Sequence, residues 1–303
     1  MTTTVAVIGL GIMGGPMAAN LIKAGHRVVG YNRSPEPVRR LQDAGGHGAG
    51  SVAEAVRVAD VVITMLPDSP DVEAVALGQD GTGADGIYAN ARPGTLHIDA
   101  STIRPDVARR LAEAGRERGV RVLDAPVSGG EPGAVEGTLS IMVGGDAADV
   151  EAARPVLEAV GRTIVHVGPH GSGQTVKAAN QLIVAGNIAL VAEAVVFLEA
   201  HGVNTAAAVE VLAGGLAGST VLDRKGHTML ARDFTPGFRV ELHDKDLGIL
   251  TAAAREAGVV IPLGALVAQL MASLKARGDG GLDHSALLTL VEQLSGRSAG
   301  PPS

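Results

Sequence analysis

A single lysine interrupts the small and apolar run GSGQTVKAANQ, residues 171–181. The chain carries 20 arginines but only 5 lysines, at positions 23, 177, 225, 245 and 275, so Lys177 stands where arginine is the usual cation. An amine can release its proton and a guanidinium cannot, which makes Lys177 a candidate acid–base group. Placed on a helix, Lys177, Asn180, Gln181, Val184 and Asn187 share one side, and the other faces are almost wholly apolar. Two arrangements satisfy this pattern: a polar stripe facing an enclosed cavity, or a lysine near a helix end whose ammonium reaches water along its own stem. A second candidate lies in DAPVSGGEPGAVEGTLSIMVGG, residues 124–145, where an apolar strand runs into Ser128-Gly129-Gly130. Glycines there would free backbone N–H groups to cradle a carboxylate beside the serine hydroxyl, although an ordinary turn has the same composition. In LHDKDLGIL, residues 242–250, Lys245 sits between two aspartates, as a site cation or as part of a solvated charge cluster.

Near the N-terminus, VAVIGLGIMGGPMAANLIKAGH reads as a strand, the pattern Gly9-x-Gly11-x-x-Gly14, and a helix. Gly9 permits a tight turn, Gly11 admits a pyrophosphate close to the backbone, and Gly14 lets helix and strand approach, while the helix N-terminus faces the anion. Leu10, Ile12 and Met13 complete that cofactor loop. Three glycines in a chain of 42 are weak evidence alone; their position between a first strand and a helix, with a second strand following, gives them meaning. The second strand ends in YNRSP, with Asn32 18 residues past Gly14. An NAD site usually has a carboxylate there for the ribose 2′-hydroxyl, whereas Asn32, Arg33 and Ser34 offer an amide, a guanidinium and a hydroxyl to a 2′-phosphate. NADP(H) is therefore expected over NAD(H), which remains possible; the alternative is that Arg33 is a solvated surface residue.

These groups need a scaffold of two parts. At 303 residues the chain exceeds what one core usually fills. Through residue 167, β-branched runs at Val5–Ile8, Arg27–Tyr31, Val61–Met65, Thr95–Asp99, Val122–Ala125, Ser140–Val143 and Thr163–Val167 alternate with helical segments. This predicts an α/β dinucleotide-binding domain of Rossmann type over 1–167, with a mostly parallel sheet covered on both faces. Ser51 and Glu54 have capping-box spacing for one connecting helix. Residues 168–295 lose the strand signal and predict an all-α domain, joined through a long buried helix and followed by a flexible tail at 296–303.

Composition narrows the partners. Aromatics are 2% of residues and the net charge is −7, which leaves neither stacking surface nor basic footprint for nucleic acid or an anionic membrane. There is no cysteine for a disulfide, a thiolate nucleophile or a thiolate metal site. The nine histidines show no metal-ligand spacing and read as surface, cap or pocket-rim residues, so no metal is expected. The apolar N-terminus lacks a basic n-region, and the run from Leu182 to Leu198 is broken by Asn187 and Glu193, so a cytoplasmic protein without a membrane span is expected.

In order and spacing, GLGIMGGPMAANL, TMLPDSPDVEAVALG, DAPVSGG, GQTVKAANQ and HDKDLGIL resemble the β-hydroxyacid dehydrogenase family, over essentially the whole chain from Val5 to about Leu294. The resemblance implies that Lys177 is the catalytic acid/base, that Ser128, Gly129, Gly130 and Asn180 hold the substrate, and that Met65, Leu66, Pro67, Thr102 and Lys245 contact the cofactor. It also implies a small carboxylate semialdehyde or hydroxyacid as substrate, and a homodimer or homotetramer with the helical half at the interface. Within the family, SGGEPGAVEGTLSIMVGGD and GGLAGSTVLD are most similar to members that reduce tartronate semialdehyde to D-glycerate. The sequence departs at Asn32, where NAD-using members often carry an acid. Dehydrogenases of 3-hydroxyisobutyrate type or succinic-semialdehyde type share nearly every one of these residues and remain alternatives, whereas imine reductases usually lack the lysine. A non-catalytic NADP-binding sensor or scaffold is the alternative of another class, and it would be expected to lose the lysine or the glycine cradle first.

Overall fold

The computed structural model describes residues 2–78 and 84–297. The chain forms two compact units, which divide after Lys177.

The first unit is built on strands β1 (Thr4–Ile8), β2 (Arg27–Tyr31), β3 (His47–Gly48), β4 (Val61–Thr64), β5 (Leu96–Asp99), β6 (Arg121–Asp124), β7 (Val127–Ser128), β8 (Leu139–Gly144) and β9 (Gly161–Gly168). Their order is β3-β2-β1-β4-β5-β6-β8-β7, with β9 on β8. Among the strand pairs of the described residues, only those made by β8 with β6 and with β7 are antiparallel. Helices α1 (Gly14–Lys23), α2 (Pro35–Asp43), α3 (Val52–Arg57), α4 (Ser69–Leu77), α5 (Ile87–Asn90), α6 (Pro105–Glu117), α7 (Gly130–Glu136) and α8 (Ala147–Glu158) connect them. Successive residues of one strand feed two separate cores: Val5, Val7, Val61 and Ile63 enter one, Ala6, Ile8 and Val62 the other. That is why β4 is apolar from Val61 to Ile63. Ser51 caps α3 by accepting from the Glu54 N–H at 3.1 Å, while the Glu54 carboxylate reaches back to the Gly50 N–H at 2.7 Å, one residue beyond the usual reciprocal position.

Helix α9 (Ser172–Ala200) begins in the first unit and continues through the second. The second unit continues with α10 (Thr205–Ala213), α11 (Thr220–Ala231), α12 (Val240–Glu256), α13 (Pro262–Ala276) and α14 (Leu287–Leu294). Its core joins Ala185, Ile188, Ala192 and Val195 of α9 to Met229, Leu247, Met271 and Leu287. The long helix is buried on that side only. Ile183, Leu190 and Phe197, spaced by seven residues, are 64%, 64% and 62% exposed, because the core takes one stripe of a helix that is apolar nearly all round. By length and composition alone α9 is apolar enough to cross a membrane, a property shared by core helices.

The histidines depart from expectation. His243 and His284 are buried with their Nδ1 atoms 2.9 Å apart. His97 is fully buried in β5, in a polar row that crosses the sheet. Thr64 donates to Asp99 Oδ1 at 2.7 Å, so its oxygen accepts from His97 Nε2 at 3.0 Å, and His97 Nδ1 accepts from the Tyr88 hydroxyl at 3.1 Å. Each group is satisfied only with a neutral imidazole, and burial lowers the His97 pKa to about 4. Burial likewise raises Asp99 to about 6, against hydrogen bonds from Ser101 and Thr64 that favour the carboxylate.

The two shifts oppose each other. On acidification from about pH 6.5 to 4 the unfolded chain protonates at histidine first, and the His97 contribution to stability is lost. The Asp99 contribution is full below its ordinary value and is lost as pH rises through about 6, so acidification over the same window restores it. Asp99→Asn removes the compensating group. Urea unfolding as a function of pH is predicted to show the variant losing about 2 kcal/mol more than the wild type between pH 6.5 and 4. Parallel stability curves would refute this reading of the pair.

Candidate active site

The expected cofactor residues of the first unit gather at the C-terminal ends of parallel strands, where ligands bind in open α/β sheets. The glycine loop follows β1, Asn32 follows β2, Met65 to Pro67 follow β4 and Thr102 follows β5. β1 is the strand at which the chain order reverses, since it pairs β2 on one side and β4 on the other.

Sterics explain the glycines. Gly9 has φ +98°, and a Cβ on it would strike the Met65 carbonyl oxygen; a Cβ on Gly14 would strike the Gly9 carbonyl oxygen. A Cβ on Gly11 would meet no atom within 4 Å beyond its chain neighbours, so that side of the loop is open to an incoming group. Helix α1 has no acidic residue in its first turn and no side-chain cap. An open glycine before an uncapped helix N-terminus fits the pyrophosphate of a dinucleotide. Asn32 has a further role: its Oδ1 accepts from the Leu10 N–H at 3.0 Å and its Nδ2 donates to the Ser34 carbonyl at 3.3 Å, so it anchors the loop. Arg33 and Ser34 are exposed beside it.

The Ser101 hydroxyl accepts from the Leu66 N–H at 2.9 Å and ties the β4 loop to the β5 loop. Gln174, in the first turn of α9, donates from Nε2 to the Ser101 carbonyl at 2.8 Å and accepts on Oε1 from the Ile103 N–H at 3.1 Å. Asp124, at the end of β6, accepts from the Gly171 N–H at 2.8 Å and from the Gln174 N–H at 3.0 Å. Lys177 follows Gln174 by three residues and is 7% exposed, so it does not reach out into water. Ser128 lies on β7, in register with Ser140 of β8. Gly129 and Gly130 have φ +135° and +65°, a consecutive pair that residues with a side chain rarely adopt.

In the second unit, Asn180 Nδ2 donates to Gln181 Oε1 at 2.7 Å and Gln181 Nε2 donates to Asp246 Oδ2 at 2.6 Å. Lys245 pairs with Asp246 Oδ1 at 2.8 Å, while Asp244 pairs with Lys275. The charge cluster is thus divided: Lys245–Asp246 is largely buried and Asp244–Lys275 lies at the surface. Sequence reasoning named Lys177 and Ser128 but not Gln174 or Asp124, although both stand in the quoted motifs; their partners are distant in the chain.

Two family models span the chain. The NAD binding domain of 6-phosphogluconate dehydrogenase matches residues 4–168, and the NAD-binding domain of NADP-dependent 3-hydroxyisobutyrate dehydrogenase matches 171–291. The 2-hydroxy-3-oxopropionate reductase of Escherichia coli is 41% identical over 289 residues, covering 95% of this chain and 97% of its own length. The 3-hydroxyisobutyrate dehydrogenase of Pseudomonas aeruginosa is 42% identical over 298 residues, covering 95% and 98%. The protein belongs to the β-hydroxyacid dehydrogenase family. Among solved structures, Mycobacterium tuberculosis 3-hydroxyisobutyrate dehydrogenase with L-serine superposes with a TM-score of 0.85 at 37% identity, covering 96% of this chain and 99% of that one. As a β-hydroxyacid dehydrogenase the chain is an NAD(P)-dependent oxidoreductase, and the matched NAD binding domain, residues 4–168, includes the open glycine loop.

The two glycines of the loop make separable predictions. Gly11→Ala meets no protein atom, so it is expected to leave the melting temperature unchanged and to weaken NADPH binding at least tenfold. Gly14→Ala must displace backbone and is expected to destabilise the free protein by about 1–3 kcal/mol. Thermal melts and fluorescence titration with NADPH check both.

Proposed function

We propose that the protein reduces a small semialdehyde acid with NADPH, and that its substrate is tartronate semialdehyde, reduced to D-glycerate. The observation that carries the reading is a buried lysine, Lys177, on a helix whose first turn is fastened to the loop bearing Thr102. When bound, a nicotinamide cofactor would supply hydride for the aldehyde carbon. As charge develops on the carbonyl oxygen, the Lys177 ammonium stabilises it and transfers a proton, which gives the alcohol. The Ser128 hydroxyl and the backbone of Gly129 and Gly130 hold the substrate carboxylate and so set which face of the carbonyl is presented. Asn180 commits its NH₂ to Gln181 and keeps Oδ1 to accept from a substrate hydroxyl.

Substrate choice rests on the E. coli relative, whose name denotes this reaction, and on the two segments similar to that subgroup. A 3-hydroxyisobutyrate-type reaction is the second reading, since the P. aeruginosa relative is equally similar. Initial rates on tartronate semialdehyde and methylmalonate semialdehyde, each with NADPH and with NADH, separate the two; a higher kcat/KM on the methylated substrate would overturn the first.

The acid role predicts that Lys177→Met lowers kcat by about 10²- to 10⁴-fold while NADPH affinity changes less than about threefold. A variant keeping a tenth of the wild-type rate would end the assignment. The cofactor reading rests on Arg33 and on the lack of a carboxylate at position 32. Arg33→Ala is predicted to raise KM for NADPH about tenfold or more and to leave KM for NADH within about twofold, a difference of one charged contact. Equal changes for both cofactors would make Arg33 a surface residue only.

A further inference from the structure

We infer that Gln174 is a positioning residue of the reaction: its side-chain amide sets the rotation of the helix that presents Lys177 and holds the loop that carries Thr102. The inference rests on the acid role of Lys177 proposed above. Gln174 is 1% exposed and is bonded at both ends of its amide. Its Oε1 takes the Ile103 N–H and its Nε2 gives to the Ser101 carbonyl, so the amide bridges the two peptide groups that flank Thr102, as a neighbouring strand would. Among acyclic side chains of this size, only the amide and a protonated carboxyl supply a donor and an acceptor in that geometry without charge, and the amide does so at every pH.

Asp124 and Gln174 divide the work of fixing the helix. The Asp124 carboxylate takes the Gly171 and Gln174 N–H groups, which fixes how far the first turn of α9 stands from the end of β6. A cap of this kind leaves rotation about the helix axis less constrained. The Gln174 side chain, reaching sideways to Ser101 and Ile103, supplies that constraint. Lys177 lies three residues on, a rise of about 4.5 Å, so its direction is inherited from Gln174. A misplacement of about 1 Å can cost 10²-fold in rate, which is the scale of effect expected when the bridge is lost.

The conservative variant gives a signature that a structural role alone would not. In Gln174→Glu a protonated carboxyl donates to the Ser101 carbonyl and accepts from Ile103, and an ionised one sets a bare oxygen against that carbonyl. The titratable or charged groups around the position are Asp124, Asp99 through Ser101, His170 on the Val122 carbonyl, Arg109 beside Gly171, and Lys177 itself. They are common to variant and wild type, so the ratio of the two rates isolates residue 174.

The experiment measures kcat and KM across about pH 5.5 to 9 for wild type, Gln174→Glu, Gln174→Leu and Lys177→Met, with NADPH binding by fluorescence. The expected result is a Gln174→Glu to wild-type kcat ratio that falls at least tenfold as pH rises. Gln174→Leu is expected to lose at least tenfold in kcat at every pH, with NADPH affinity within about threefold of wild type. A pH-independent ratio overturns the inference, as does a Gln174→Leu kcat within twofold of wild type; should Gln174→Leu fail to fold, the ratio decides alone. An inactive Lys177→Met with a flat Gln174→Glu ratio removes only this inference, whereas an active Lys177→Met removes the proposed acid and this inference with it.

Discussion

The carboxylate of Asp124 is the contact on which the first unit's site depends. It ends β6 almost without solvent and takes the N–H groups of Gly171, just before α9, and of Gln174 in its first turn, groups that a helix start leaves without partners of its own. Burial pushes its pKa up and the Gly171 and Gln174 N–H groups pull it back, so ionisation and helix placement support each other. The packing leaves no room for a side chain nearby. A Cβ on Gly144 would lie 2.6 Å from Asp124 Oδ1, and one on Gly173 2.6 Å from the Asp124 carbonyl oxygen. Those two glycines are needed for approach, not for turning.

Asp99 is in register with Asp124 on the adjacent parallel strand, and the two strand ends carry different loads. Asp124 holds a helix, while Asp99 accepts from Thr64 and from the Ser101 N–H and so orders the loop that Ser101 ties to Leu66. The Tyr88–His97–Thr64 row behind it passes hydrogen bonds in one direction, from a phenol through a neutral imidazole to a carboxylate. Loops that would otherwise be held by backbone alone are thereby linked to the centre of the sheet. Rigid strands are what make sub-ångström placement of a reacting group feasible.

Much of this arrangement was legible in the sequence, and the parts that were not share a cause. The strand–glycine–helix order at Val5–Lys23 is local, so spacing alone placed it. The two-residue strands His47–Gly48 and Val127–Ser128 are too short to show a period, and exist only because a neighbour offers hydrogen bonds. His97 read as a surface or cap residue, since nothing near it in sequence announces Tyr88 and Thr64 as partners. Gln174 and Asp124 are 50 residues apart, and a contact of that separation leaves no mark on either segment. For Lys177 the sequence left a cavity and a solvent-reaching stem equally open; burial removes the second, and burial depends on everything packed around the helix.

Asn32 shows how one position can serve two demands at once. The glycine loop needs an acceptor for the Leu10 N–H, and an aspartate in this place could provide it as well as Asn32 Oδ1 does. The amide keeps that bond and removes the negative charge, so the loop's geometry and the field felt by a ribose 2′-substituent are set independently. With a carboxylate, repulsion of a 2′-phosphate would act through the same group that supports the pyrophosphate loop. With the amide, the cofactor choice proposed above would pass to Arg33 and Ser34, whose side chains are exposed. On the proposed reading, cofactor preference is therefore a property of the edge of this site, set apart from the proton transfer proposed for Lys177.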